Sequence, residues 1–100
     1  AYKKAVELDP KGALNNLYYG RMLVQQYNDL DQGAANMSQQ EYNKYNFETM
    51  RPIILEAVKY LEKAYELDNE QLDALRYLKN IYYVLNDGEN LTRVEKLLGQ

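Results

Sequence analysis

Residues 3–10 read Lys-Lys-Ala-Val-Glu-Leu-Asp-Pro, and the same pattern returns at residues 62–69 as Glu-Lys-Ala-Tyr-Glu-Leu-Asp-Asn. Five of the eight positions are identical, and the two copies start 59 residues apart. Each copy ends in Leu-Asp followed by proline or asparagine, residue types that stop helices and begin turns. Self-similarity of this kind is typical of proteins built from repeated helical units.

Apolar residues around the second copy follow a helical period. One set recurs at spacings of three and four residues, which places it on one face of an amphipathic helix: Ile54, Ala57, Val58, Leu61, Ala64 and Tyr65. Two further sets follow predicted turns at residues 68–69 and 86–88; they are Leu72, Leu75, Leu78, Tyr82 and Leu85, then Leu91, Val94 and Leu98. We therefore expect a helix before and after each turn.

Residues 12–28 differ, because apolar side chains surround the predicted helix: Leu14, Leu17, Tyr18, Tyr19, Met22, Leu23, Val24 and Tyr27. A helix that is apolar on every side is buried by several neighbours. These residues therefore predict a middle helix in a stack. Asparagine and glycine between residues 28 and 36 predict the turn that ends it.

A further helix is expected to start at Ser38. Ser38-Gln39-Gln40-Glu41 is a capping box, in which the serine and glutamate side chains satisfy free backbone donors. Helical spacing then continues through Tyr42, Tyr45 and Ile53, which predicts one long helix from about residue 38 to residue 67. Pro52 cannot donate to the carbonyl of Glu48, so we expect a kink or a break there.

The chain resembles the tetratricopeptide repeat family, whose 34-residue units are helix–turn–helix pairs. The resemblance rests on the Ala-x-Glu-Leu-Asp-Pro ending of residues 5–10 and on positions that keep the family pattern: Gly20, Ala57, Ala64, Leu78 and Tyr82. The pattern is lost at Asn16, Tyr19, Leu23, Leu75 and Lys79, and Asn69 stands where the family prefers proline. The spacing of the two copies then implies one repeat plus an insertion of about 25 residues.

What the resemblance implies is a single all-α domain over residues 1–100. It is a helix-turn-helix α-solenoid of about two and a half repeats with one long helix that Pro52 kinks. Its parts are a second helix of a truncated repeat at residues 1–9, a repeat at 12–67 with an insertion at about 28–52, and a last repeat at 70–98. Because such arrays need about three units, the inserted helix, preceding helices or a second copy must cover the ends. A generic helical bundle is the competing interpretation.

Composition argues against most enzymes and several kinds of partner. The chain contains no histidine and no cysteine, so nucleophilic triads and the usual zinc sites lack their residues. We predict no catalytic residue, no metal and no cofactor. The net charge of -3 gives no footprint for nucleic acid. Apolar runs such as residues 52–55 contain only a few residues, far too few to span a membrane.

In the family, the first helices of the repeats line a concave groove that holds a polypeptide. The groove residues implied here are Leu14, Leu17, Arg21, Val24 and Gln25, then Asp73, Arg76, Asn80, Tyr83 and Val84. This set mixes two arginines with amides and apolar side chains, which suits a peptide with an acidic group. Arg76 and Asn80 lie one turn apart, similar to the pair with which some members clamp a C-terminal carboxylate.

We therefore expect a protein–protein interaction module that binds a protein or peptide partner. The alternative is a structural or self-assembling scaffold segment of a larger protein, acting as a homo-oligomer. Proteins with this ending and insertion are bacterial and often exported, so the resemblance favours the periplasm or cell envelope over the cytoplasm. The chain opens at Ala1 in what reads as the middle of a helix, so we expect a cut N-terminus.

Overall fold

The computed structural model describes residues 12–99, and every regular element in that part of the chain is helical. The predicted all-α class is confirmed. The first copy of the repeated segment, residues 3–10, lies outside the described residues. The elements are α1 (Ala13–Gly33), α2 (Gln39–Tyr45), a π-helical segment (Asn46–Met50), α3 (Arg51–Leu67), α4 (Leu72–Val84) and α5 (Gly88–Leu97).

α1 extends through residues 28–33, where the sequence predicted a turn. Asn28 and Asp29 each disfavour a helix interior by only about 0.7 kcal/mol or less, which packing easily outweighs. The Gln25 side chain donates to the Asp29 carboxylate one turn away at 2.9 Å, and Leu30 packs against the core. The turn is therefore confined to residues 34–38, between the helices that end at Gly33 and begin at Gln39.

The predicted long helix is present, since no non-helical residue interrupts the chain between Gln39 and Leu67. Ser38 caps its start, as expected: the hydroxyl accepts from the Glu41 N–H at 3.2 Å. The same hydroxyl donates a hydrogen bond to the Glu41 carboxylate at 3.0 Å. In a capping box the glutamate usually accepts from the serine backbone.

Pro52 neither breaks the helix nor leaves it regular. The π-helical segment lies directly before it, and the Arg51 N–H donates to the carbonyl of Asn46, five residues back. A π turn contains one more residue than an α turn. The wider turn leaves room for the proline ring near the carbonyl of Glu48, which an ordinary α-helix would not. The expected kink therefore appears as a local change of helix type.

Each long element packs against the next one along the chain. α1 packs on α3, α3 on α4, and α4 on α5. α1 and the long helix are antiparallel, because Asp31 near the end of α1 contacts Tyr42 near the start of the long helix, whereas Gly20 meets Leu61 near its end. The two helices lie close together at Gly20, where a Cβ would lie 2.7 Å from Leu61 Cγ.

The core runs through all the long helices and has a polar seam at one side. Its largest completely buried apolar side chains are Met50, Leu61, Leu75, Leu78 and Val94. Beside them the Glu62 carboxylate accepts from the Tyr82 hydroxyl at 2.6 Å and from the guanidinium of Arg93. These two hydrogen bonds join α3, α4 and α5.

The described part of the chain forms a thin slab, with Cα extents of 41 × 34 × 16 Å. A slab this thin has few residues that are covered on every side. Within residues 12–99, every helix is too short or too polar to cross a lipid bilayer. The broad surfaces of the slab are therefore the places to look for a site.

Candidate functional site: the groove between α1 and α4

α1 and α4 face each other across a cavity of about 200 Å³. Ile54 of α3 also contributes to its wall, so three helices form it. The lining is mostly apolar or aromatic, with two carboxamides: Val24, Tyr27, Asn28, Ile54, Tyr77, Asn80, Ile81 and Val84. A mostly apolar concavity with a few polar groups is the usual character of a binding site.

A second cavity, of about 320 Å³, continues along α1 towards its N-terminus. It shares Val24, Asn28 and Tyr77 with the first and adds Arg21, Met22 and Gln25. Because the two cavities have these walls in common, they form one elongated depression. We call it the α1–α4 groove.

The structure places three of the five predicted α1 residues in this groove. Arg21, Val24 and Gln25 line it. Leu17 is only 5% exposed and belongs to the core. Leu14 is exposed at the start of α1 and lines neither cavity. The cavities therefore begin at Arg21, one to two turns beyond Leu14 and Leu17 along α1.

Of the predicted α4 residues, Asn80 and Val84 line the groove. Asp73 and Arg76 form an exposed ion pair with each other, at 2.6 Å between carboxylate and guanidinium. Tyr83 lies on another side of α4, where it lines a cavity with residues of the turn before α5. The structure therefore brings Asn80 together with Arg21, Val24 and Gln25, and it does not bring Tyr83 to them.

Sequence reasoning missed Tyr77 and Asn28, the two polar residues that both cavities share. Tyr77 was available from helical spacing, since it lies four residues after Asp73 and three before Asn80, on one face of α4. Asn28 was assigned to a turn because asparagine often breaks helices. Its position in the groove follows only from the continuation of α1.

The hydroxyl of Tyr27 remains protonated at neutral pH. Burial and the nearby charge of Asp31 both raise the pKa of Tyr27 above its ordinary value of 10.0. Arg21 is held beside the groove by the ring of Tyr18, with the guanidinium carbon 5.1 Å from the ring centre. The groove thus offers two phenols, three carboxamides and a cation beside its apolar surface.

Two other cavities are larger but are formed differently. One of about 400 Å³ surrounds the turn between α4 and α5, and one of about 410 Å³ lies at the turn between α1 and α2. Turn residues and polar side chains make up most of their walls. The α1–α4 groove combines residues from three helices and has the more apolar lining, so we take it as the candidate site.

Neither a metal site nor a known relative indicates what the groove binds. Over residues 12–99, no group of three or more histidine, cysteine or acidic side chains is placed to hold a metal ion. Comparison of the chain with protein families, curated proteins and solved structures finds no match. The function is therefore argued from the groove and its side chains.

Proposed function

We propose that the chain is a tetratricopeptide-like repeat segment that binds a polypeptide partner in the α1–α4 groove. The observation that carries the proposal is the elongated depression with an apolar floor and the carboxamides of Asn28 and Asn80 at its walls. α1 and α4 are the first helices of the two repeats that the resemblance implies. In that family the corresponding helices line the binding surface.

Packing at the family's signature positions supports the repeat assignment. Gly20 lies against Leu61 and the carbonyl oxygen of Ala57, and Ala57, Leu61 and Ala64 are all completely buried. The small residues thus stand at a close contact between two helices. Lys79 occupies the equivalent of Gly20 in the last repeat that the resemblance implies, so that repeat has no glycine at this position.

The shape and chemistry of the groove favour a polypeptide over a compact small molecule. A groove along one face of α1 gives an extended chain a continuous contact surface. Carboxamides both donate and accept hydrogen bonds, so Asn28 and Asn80 match the backbone of a peptide in either direction. Apolar, amide, phenol and guanidinium groups are suited to noncovalent binding, and we propose no catalytic role.

The test is selection of a random peptide display library on the chain. Selected peptides are then assayed against Val84→Arg, which places a charge in the groove, and against Leu55→Arg as a matched control. Both positions are about half exposed on a helix, but Leu55 lies outside the groove. We expect Val84→Arg to abolish binding and Leu55→Arg to preserve it. Peptides that ignore Val84→Arg would overturn the proposal.

One observation favours the alternative of self-assembly. Phe47 and Leu55 are 73% and 46% exposed on the long helix. Exposed apolar patches of this kind often mark contacts between proteins. Light scattering over a wide concentration range separates the two functions, because the groove proposal expects a monomer. A dimer that Phe47→Ser dissociates would favour assembly instead.

A further inference from the structure

Arg21 gives the groove a positive edge. Among the described residues that line the two cavities it is the single charged side chain. Arg76, on the facing helix, is already neutralised by Asp73. Asp29 lies eight residues further along α1, which is about 12 Å from Arg21 along the helix axis. This distance exceeds the electrostatic screening length of about 8 Å at physiological salt, so Asp29 does not offset the charge of Arg21. A ligand in the groove therefore meets an uncompensated cation at the Arg21 end.

The first cavity has the size of one large side chain. An engineered apolar cavity of about 150 Å³ in another protein binds benzene. At about 200 Å³ the cavity between Val24, Tyr77 and Val84 admits an aromatic ring or a large aliphatic side chain. The groove therefore contains one apolar anchor site and, beside it, one cationic site.

The spacing of the two sites follows from helix geometry. The residues of α1 that line the first cavity are Val24, Tyr27 and Asn28, centred about five residues beyond Arg21. Five residues of helix extend about 7.5 Å. Two residues of an extended peptide span about 6.6 Å and place their side chains on the same side of the chain. The two sites therefore match peptide positions separated by one residue.

We propose that the partner is an extended segment with a large apolar residue and, two positions away, an aspartate or glutamate. The apolar side chain enters the cavity between Val24, Tyr77 and Val84, and the acidic group pairs with Arg21. This proposal rests on the groove being the binding site. It adds the partner's chemistry and spacing.

The experiment uses a display library in which one phenylalanine is fixed and the flanking positions are random. We expect enrichment of an acidic residue two positions from the phenylalanine. Affinity of such peptides is measured for Arg21→Glu and for Lys59→Glu, the matched control. Each cation lies over a tyrosine ring, at 5.1 Å for Arg21 and 5.4 Å for Lys59, and each reversal changes the net charge equally.

Exposed ion pairs are weak, so the expected effect is moderate. Reversal of Arg21 replaces attraction with repulsion, and we expect about a five- to tenfold loss of affinity, against less than about twofold for Lys59→Glu. Exchange of the peptide acid for lysine should restore binding to Arg21→Glu. Recovery of this kind cannot come from a folding defect.

Other outcomes separate the two proposals. One such outcome is that the selected peptides bind Val84→Arg poorly and yet contain no enriched acid and bind Arg21→Glu as well as the wild type. This result overturns the proposal of an acidic residue that pairs with Arg21, and it leaves the groove as the binding site. Peptides that bind Val84→Arg and Arg21→Glu with the same affinity as the wild type overturn both proposals. A library that enriches no binder also overturns both.

Discussion

Tyr82 and Tyr83 are neighbours in the chain with opposite surroundings. Tyr82 is buried, and its hydroxyl donates to the Glu62 carboxylate, which also accepts from Arg93. Tyr83 is 74% exposed. The same chemical change at the two positions therefore measures the contribution of the hydrogen bond between α3 and α4.

Tyr82→Phe should lower the free energy of unfolding by about 1–2 kcal/mol, because a buried hydrogen bond to a carboxylate is lost while Arg93 still satisfies Glu62. Tyr83→Phe should change it by less than about 0.5 kcal/mol. Urea denaturation of both variants measures the difference. Equal effects at the two positions would show that the Tyr82 hydrogen bond contributes nothing.

The Tyr82 contribution should also depend on alkaline pH. Burial and the hydrogen bond to Glu62 raise the pKa of Tyr82 above its ordinary value of 10.0. When folding raises the pKa of a group, that group contributes its full stability at pH values below its pKa in the unfolded chain. The contribution is lost as the pH rises towards its pKa in the folded chain. The free energy difference between the wild type and Tyr82→Phe should therefore shrink above pH 10. A difference that stays constant there contradicts this assignment.

Gly20 is required by the contact between α1 and α3. A Cβ at this position would lie 2.7 Å from Leu61 Cγ and 2.9 Å from Cδ2, and Leu61 is completely buried. Gly20→Ala should therefore lower the melting temperature, since overpacking of about 1–3 kcal/mol exceeds the gain in helix propensity of about 1 kcal/mol. Gly33→Ala is the control, because nothing lies within 4 Å of its Cβ. It should be neutral or stabilising.

Among the elements, the helical hairpin of α1 and the long helix is the longest. The last turns of α1 and the first turns of the long helix extend beyond the length of α4 and α5. One side-chain hydrogen bond links them, from the Tyr42 hydroxyl to the Asp31 carboxylate at 2.5 Å. This hydrogen bond is the largest of the effects that raise the pKa of Tyr42 to about 12.

Tyr42→Phe should loosen the tip of the hairpin without affecting the core. We expect faster amide hydrogen exchange over residues 34–45 and a melting temperature close to that of the wild type, because α2 contains no buried residue. Tyr45→Phe is the control on the same helix. Unchanged exchange in Tyr42→Phe would mean that backbone and apolar contacts alone hold the tip.

The elements were predictable to different degrees. The capping box placed the start of the long helix correctly, because Ser38 and Glu41 act within one turn. The end of α1 was missed because Asn28 and Asp29 break helices only when packing does not oppose them. Pro52 signalled an irregularity, but its form depended on how the flanking turns could rearrange.

For the whole molecule, the groove could be predicted only in part. The resemblance implied five of the residues that line the cavities: Arg21, Val24, Gln25, Asn80 and Val84. Tyr77 could have been found from helical spacing on α4. Asn28 and Ile54 enter the groove because α1, α3 and α4 lie side by side, an arrangement that the period of a single helix does not reveal. Leu17 was misplaced for the same reason, since its burial depends on its neighbours.

The slab shape explains why a groove is open between α1 and α4. A compact domain of 100 residues has a radius of gyration of about 13 Å, whereas the Cα value here is 14.3 Å. Helices that pack mainly on their neighbours along the chain leave broad faces, and the space between alternate helices remains open. The α1–α4 groove is such a space.

The most direct measurement is an NMR titration of the isotope-labelled chain with a peptide obtained by display selection, following each backbone amide. Binding in the α1–α4 groove predicts the largest shifts at Val24, Asn28, Tyr77, Asn80 and Val84, with residues around Phe47 and Leu55 unchanged. Shifts concentrated around Phe47 and Leu55, with the amides of the groove unchanged, would contradict the account. They would assign binding to the face of the long helix on which Phe47 and Leu55 are exposed.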